Sequence, residues 1–232
     1  MAIQSQNPAT EEILASFEEH SEQALNAILD RSVEAFRQWR LQPFGHRAQL
    51  MTQAARQLRA DANHLAELMT LEMGKPIAQS RAEVEKCAWC CDYFAENAES
   101  FLADIIKPSA ASESYVAFDP LGTVLAIMPW NFPLWQLSRF AAPALMAGNV
   151  GVLKHASNVP QCALAIEEVF TKAGFPLGAF QTVLVPGAKA LALIDDARIA
   201  AVTLTGSEEA GARVAEASGR ALKPAPTVSE RR

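Results

Sequence analysis

From Thr123 onward the chain alternates short apolar runs with stretches of helical period, and this constrains the fold more than any other feature of the sequence. Thr123 to Met128 is followed by a helical pattern reaching Ala147, and Val150 to Leu153 by one from Val159 to Lys172. Thr182 to Val185 precedes a pattern reaching Ile194, and Ile199 to Leu204 one reaching Ser218. Apolar runs without polar alternation are what strands covered on both faces require. Four successive strand-helix units with right-handed crossovers predict an α/β fold with a doubly wound parallel sheet. In such sheets ligands bind outside the carboxyl ends of the strands, so the loops that follow these runs are the candidate site.

Three helical segments are expected upstream. Ser21 to Arg40 places Leu25, Ile28, Leu29, Val33 and Phe36 on one stripe. Met51, Ala54, Ala55, Leu58, Ala62, Leu65 and Leu68 mark a second helix, ended by Gly74 and Pro76. Ala78 to Ala103 forms the third, with Val84, Cys87, Cys91, Phe94 and Phe101 inward. After the small, polar stretch Ser109 to Ser114, Tyr115 to Phe118 and Thr123 to Met128 read as two strands flanking a turn at Asp119-Pro120-Leu121-Gly122.

Composition excludes several functions. A chain of 232 residues, half of them hydrophobic, can bury a sizeable core, and a net charge of -6 offers no field to attract a phosphate backbone, so nucleic acid is not an expected partner. No apolar stretch approaches the roughly 20 residues that span a bilayer, and Met1 to Ala15 lacks the pattern of a signal peptide, which predicts a soluble, cytoplasmic protein with no membrane partner. The four cysteines, three of them crowded into Cys87-x-x-Cys90-Cys91, do not form a secreted disulfide framework. Zinc needs about four converging ligands, and no second pair or nearby histidine is present, so no metal is expected. His20, His46 and His64 show no partner in the sequence.

Pro129-Trp130-Asn131-Phe132-Pro133 falls where the first core strand gives way to a helix. An amide at that point could donate to an oxygen that becomes negative during reaction. Equally, Asn131 could cap the next helix, with Pro133 in its first turn. The segment, together with Leu71-Glu72-Met73-Gly74-Lys75-Pro76, Pro120-Leu121-Gly122 and Thr205-Gly206-Ser207 in the same order, resembles the aldehyde dehydrogenase superfamily, and within it the NAD(P)-dependent succinate semialdehyde dehydrogenases.

The resemblance implies an NAD(P)-binding domain over residues 1–223, with Rossmann-like topology, amino-terminal helices and an oligomerisation hairpin near 109–128. It implies NADP or NAD as cofactor, oxidation of a small-molecule aldehyde to the acid, and a homo-oligomer. Asn131 would stabilise the tetrahedral intermediate, and Arg139, eight residues on, would grip the distal carboxylate of a semialdehyde, a task that suits a guanidinium fork. Arg139 is also the lone charge on an apolar helix, so a salt bridge to a nearby carboxylate is an alternative. Trp130, Lys154, Ser157, Gly187, Gly206 and Ser207 would bind cofactor. Many NAD-preferring relatives carry glutamate where this chain has Ser157, so a 2'-phosphate should be tolerated or favoured beside Lys154 and His155. Ser157 could also cap the helix before Pro160. Gly206 to Gly211 opens a helix whose N–H groups could receive a pyrophosphate, although a Gly-x-x-x-x-Gly is by itself often a turn. The second glycine many relatives carry after Gly187 is absent, and Lys189 falls near it.

Two groups the family's chemistry needs have no counterpart. No Gly-Gln-x-Cys occurs to hold a nucleophile, and Glu230 is not followed by Leu-Gly-Gly, as the family's general base would be. Residues 224–232 diverge, where one more core strand is expected, which reads as a frameshift, a premature stop or a gene-model break that removes the catalytic domain and the carboxyl-terminal strand used in oligomerisation. The competing readings are a chain inactive alone, an NADP-binding pseudoenzyme or interaction subunit, and an unstable relic.

Overall fold

The computed structural model describes residues 3–229; Glu230 lies outside them. A two-stranded antiparallel ribbon, β1 (Ile3–Gln6) and β2 (Ile13–Phe17), opens the chain. It was not expected from the sequence because its strands carry little apolar alternation and bury only Ser5 fully.

Helix α1 (Glu22–Trp39) begins at Ser21, whose hydroxyl accepts a hydrogen bond from the Ala24 N–H. The expected second helix is two, α2 (Phe44–Ala60) and α3 (Ala62–Met73). They part at Asp61, where φ -93° and ψ 11° leave the helical region. The apolar spacing runs across the break because both helices face one core, Met51, Leu58, Leu65 and Met69 included. Gly74 closes α3 at φ 74°, a left-handed conformation that suits glycine. Helix α4 (Ile77–Phe101) completes the layer and packs on α2, α3 and the next helix, α5 (Pro133–Met146).

The hairpin expected around 109–128 is not formed. Instead β4 (Tyr115–Val116) pairs with β3 (Ile105–Ile106), outside the main sheet. The reason lies in β5 (Thr123–Met128), whose two hydrogen-bonding edges are taken by β6 (Val150–His155) and β8 (Ile199–Gly206), which leaves none for β4. The main sheet is parallel throughout, in the order β7 (Phe180–Thr182), β6, β5, β8, β9 (Thr227–Ser229). Strand β9 lies in the segment expected to diverge, so the sheet does not end at residue 223.

The third core strand is displaced from the expected Thr182 to Val185. Residues 183–185 are buried as a loop, and Leu184 exchanges hydrogen bonds with His20: the His20 N–H donates to the Leu184 carbonyl, and the Leu184 N–H donates to His20 Nδ1. His20 thus has the partner that the sequence did not reveal. Helices α6 (Pro160–Lys172), α7 (Gly187–Leu193) and α8 (Glu208–Arg220) complete the units.

Successive residues of a strand point to opposite faces, and the sheet separates two cores accordingly. Ala126 and Leu153 face α5 and α6, whereas Leu125, Val152 and Leu204 face α1, α7 and α8. The chain adds β6 and β7 on one side of β5 and then returns to place β8 on the other. The switch point therefore lies between β5 and β8, and the loops leaving their carboxyl ends open a crevice there.

Gly178 sets the turn before β7 at φ 95°, where a Cβ would lie 2.6 Å from the Arg31 carbonyl oxygen on α1. Gly178→Ala combines a disfavoured backbone with a clash against main chain, and we expect a loss of about 2 kcal/mol in urea unfolding. An unchanged midpoint would show that α1 does not pack this tightly on β7.

Candidate functional site

The site begins with two helix ends that cap themselves poorly. Neither α5, preceded by Phe132, nor α6, preceded by Val159, has a capping side chain of its own. Orphan N–H groups and the helix dipole both favour a carboxylate there, and each helix receives one from the amino-terminal layer. Glu83 Oε1, on α4, accepts from the N–H groups of Leu134 (3.0 Å) and Trp135 (2.9 Å). Glu72 Oε1 and Oε2, on α3, accept from Gln161 and Cys162, each at 2.9 Å. Lys75 forms an ion pair with Glu83 and stands 3.7 Å from the centroid of the Phe132 ring. All three charged residues are buried. The Leu71 to Pro76 signature is thus explained in part by capping. The available signal was a glutamate on each inward stripe, Glu72 in line with Leu65 and Met69, and Glu83 beside Ser80 and Cys87.

Capping of α5 falls to Glu83 rather than to Asn131. Asn131 is half-buried, and its Oδ1 accepts from the Phe132 N–H at 3.0 Å, so its NH2 is the donor end of the amide. Trp130 beside it is half exposed. Arg139 is exposed, which removes the argument that it needs a partner, and it makes no ion pair among the described residues. It borders a depression with Gln136, Thr203, Thr205 and Val228, on the β9 side of β5.

Strand β6 ends in two basic residues with opposite fates. His155 is buried against α5: Nε2 bonds the Pro133 carbonyl at 2.9 Å, and Nδ1 accepts from the Ala156 N–H at 2.8 Å. These partners select the neutral ring protonated at Nε2, and burial pushes its pKa down to about 4. His155 is therefore not the cation expected beside a 2'-phosphate. Lys154 instead reaches a cavity of about 360 Å³, which falls within the size range of ligand clefts. It is largely buried, burial lowers its pKa, and among the described residues it has no hydrogen-bond or ion-pair partner.

Gly187 and Ser207 line the same cavity, with Ile127, Leu191, Leu204 and Val214 as its apolar wall. Gly187 opens α7 rather than a loop, and its Cα faces open space. Gly206 is the last residue of β8, and Ser207 caps α8 through its hydroxyl, which accepts from the Ala210 N–H at 3.3 Å. Of the residues expected to bind cofactor, Trp130, Ser157 and Gly206 do not line this cavity. Ser157 is exposed on a turn two residues before the cap of α6, makes no capping bond, and borders a separate cleft with Ile3 and Val183. Lys189 pairs with Glu19 on another face.

The four cysteines are buried, and burial raises every thiol, Cys90 up to about 11. A thiolate is the reactive form, so none of them is poised as a nucleophile. No cluster of metal-ligating residues occurs among the described residues.

The aldehyde dehydrogenase family profile matches residues 1–227. A Synechocystis sp. protein named a probable NADP(+) succinate-semialdehyde dehydrogenase is 55% identical over 223 residues, which cover 96% of this chain and 49% of that protein. The NADP(+) succinate-semialdehyde dehydrogenase 1 of Mycobacterium tuberculosis is 49% identical over 227 residues, 97% of this chain and 50% of that one. Among solved structures, the succinic semialdehyde dehydrogenase of Streptococcus pyogenes in complex with NADP+ superposes with a TM-score of 0.94 at 35% identity, over 97% of this chain and 50% of that chain. The chain therefore spans about half the length of the curated relatives it matches.

His155 carries a pH dependence. Its folded pKa of about 4 lies below the ordinary 6.5, so the unfolded chain binds the proton more readily. The contribution is fully present above pH 6.5, falls as pH drops through the window, and levels off near pH 4 after a loss of up to about 3 kcal/mol. Urea unfolding between pH 7 and 4 should show a shallower decline in His155→Gln, whose amide can still donate to Pro133 but does not titrate. Equal slopes in parent and variant would contradict a buried His155 held neutral in the folded chain.

Proposed function

The chain belongs to the aldehyde dehydrogenase family, and from that premise we propose that it is the cofactor-binding portion of an NADP-using succinate semialdehyde dehydrogenase, which oxidises the aldehyde to the carboxylic acid. The observation that carries the reading is Lys154, a lysine ammonium without a partner among the described residues, held at the carboxyl end of β6 in a cavity with an apolar wall. Such a cavity fits the adenosine half of a dinucleotide in kind: an apolar slot for the base, and a cation for ribose hydroxyls or a 2'-phosphate. A bound nicotinamide dinucleotide would supply the hydride acceptor.

The chain's own residues would do the rest. The first N–H groups of α8, with Ser207, would receive the pyrophosphate, and Gly187 and Gly206 would let it approach the backbone. Trp130 would line the cleft. The Asn131 NH2 would donate to the oxygen of the tetrahedral intermediate, and Arg139 would hold the substrate's far carboxylate. Glu83 and Lys75 would position Asn131 by fixing the start of α5.

The reading extends to organisation. Residues 1–223 would form the NAD(P)-binding unit, and the exposed Ile105, Ile106, Tyr115, Val116 and Phe118 support a place for β3 and β4 in a homo-oligomer. Among the described residues no helix is long and apolar enough to cross a membrane, and the four free cysteines suit the reducing cytoplasm.

With every thiol buried and no Glu-Leu-Gly-Gly or Gly-Gln-x-Cys segment, the chain by itself should bind cofactor without oxidising succinate semialdehyde. Calorimetric titration should give NADP binding at least as tight as NAD, and Lys154→Ala should weaken NADP about tenfold or more. Tight NAD with no NADP binding, or aldehyde-dependent reduction of the cofactor by the purified chain, would overturn the respective claim.

A further inference from the structure

Beyond Lys154, two charged side chains line the cavity, and both come from α8: Glu209 and Arg213. Glu209 is the one carboxylate among the described residues that line it, so it would oppose any anion bound there. Arg213 Nη2 holds Glu209 Oε1 at 2.7 Å, one helical turn away. With Lys154 and Arg213 positive and Glu209 negative, the lining carries one net positive charge; without Arg213 it would carry none. The pair is exposed, at 65% and 76%, where an i,i+4 bridge contributes little to stability. Glu209 also sits in the first turn of α8, where its charge suits the helix dipole but repels an anion approaching that helix end.

We infer that Arg213 is a specificity residue of this cavity: it neutralises Glu209 and so sets the preference for a dinucleotide that carries a 2'-phosphate over one that does not. The inference rests on the dinucleotide reading of the cavity. A 2'-phosphate adds up to two negative charges, so it gains more from a net positive lining than the uncharged 2'-hydroxyl does. The effect should also weaken as salt rises, because the pair stands at the open side of the cavity.

Dissociation constants for NADP and NAD, measured by calorimetry on the parent chain, Arg213→Gln, Glu209→Gln and the double variant, test this. Arg213→Gln should lower the preference for NADP by about fivefold, the effect of one exposed charge interaction. Glu209→Gln should preserve or increase that preference, and the double variant should return toward the parent, because no carboxylate is left to neutralise. Thermal midpoints should be unchanged in all three, which separates selectivity from misfolding. If the parent binds neither cofactor, the dinucleotide reading falls and this inference with it. If the parent binds NADP and Arg213→Gln keeps the parent ratio, or the double variant is as unselective as Arg213→Gln, the inference alone is overturned.

Discussion

The first turns of α5 and α6 present N–H groups that no side chain of their own satisfies, and the acceptors come from Glu83 and Glu72, on two other helices. Much of the rest depends on these two contacts. They join the helical layer to the helices that cover one face of the sheet, and they act at the carboxyl edge, where the loops after β5 and β6 begin. A buried carboxylate is costly unless its oxygens are occupied, and here N–H pairs and the Lys75 ammonium occupy them. Removing one member would leave buried charge without a partner, which typically costs several kcal/mol.

That junction explains how neighbouring residues serve different ends. Strand alternation sends His155 into the packing against α5 and Lys154 into the cavity on the opposite face. His155 is held neutral and ties the end of β6 to the Pro133 carbonyl, so the two loops that would meet a ligand are linked through one imidazole. The Lys75 ammonium over Phe132 holds the other end of the same turn. The short Trp130 to Phe132 segment is thus fixed by residues remote in sequence, and Asn131 itself is not required to cap the helix.

Much of the architecture was legible in the sequence because it rests on local period. The runs at Thr123, Val150 and Ile199 became β5, β6 and β8 with boundaries close to those expected, and Ser21 and Gly74 marked helix ends through local backbone chemistry. The failures share a cause. Tyr115 to Phe118 has strand-like residues, but its partner depends on which edges remain open, and β5 had none. Residues 183–185 are as apolar as a strand, yet at Leu184 the hydrogen bonds are exchanged with His20, more than 160 residues away in sequence. Periodicity carries no information about either choice.

The same division runs through the candidate site. By itself the sequence determined the α/β class, the order of the strand-helix units, and the resemblance that singled out Asn131, Arg139 and Lys154, because residue type and spacing along the chain encode these. Only the tertiary structure decided that Glu83 rather than Asn131 caps α5, that His155 is buried and neutral, that Ser157 borders a cleft other than the Lys154 cavity, and that Glu209 and Arg213 line that cavity. Each of these depends on which groups meet across the fold and on how much water remains between them, and the energies of buried charges and hydrogen bonds are set there.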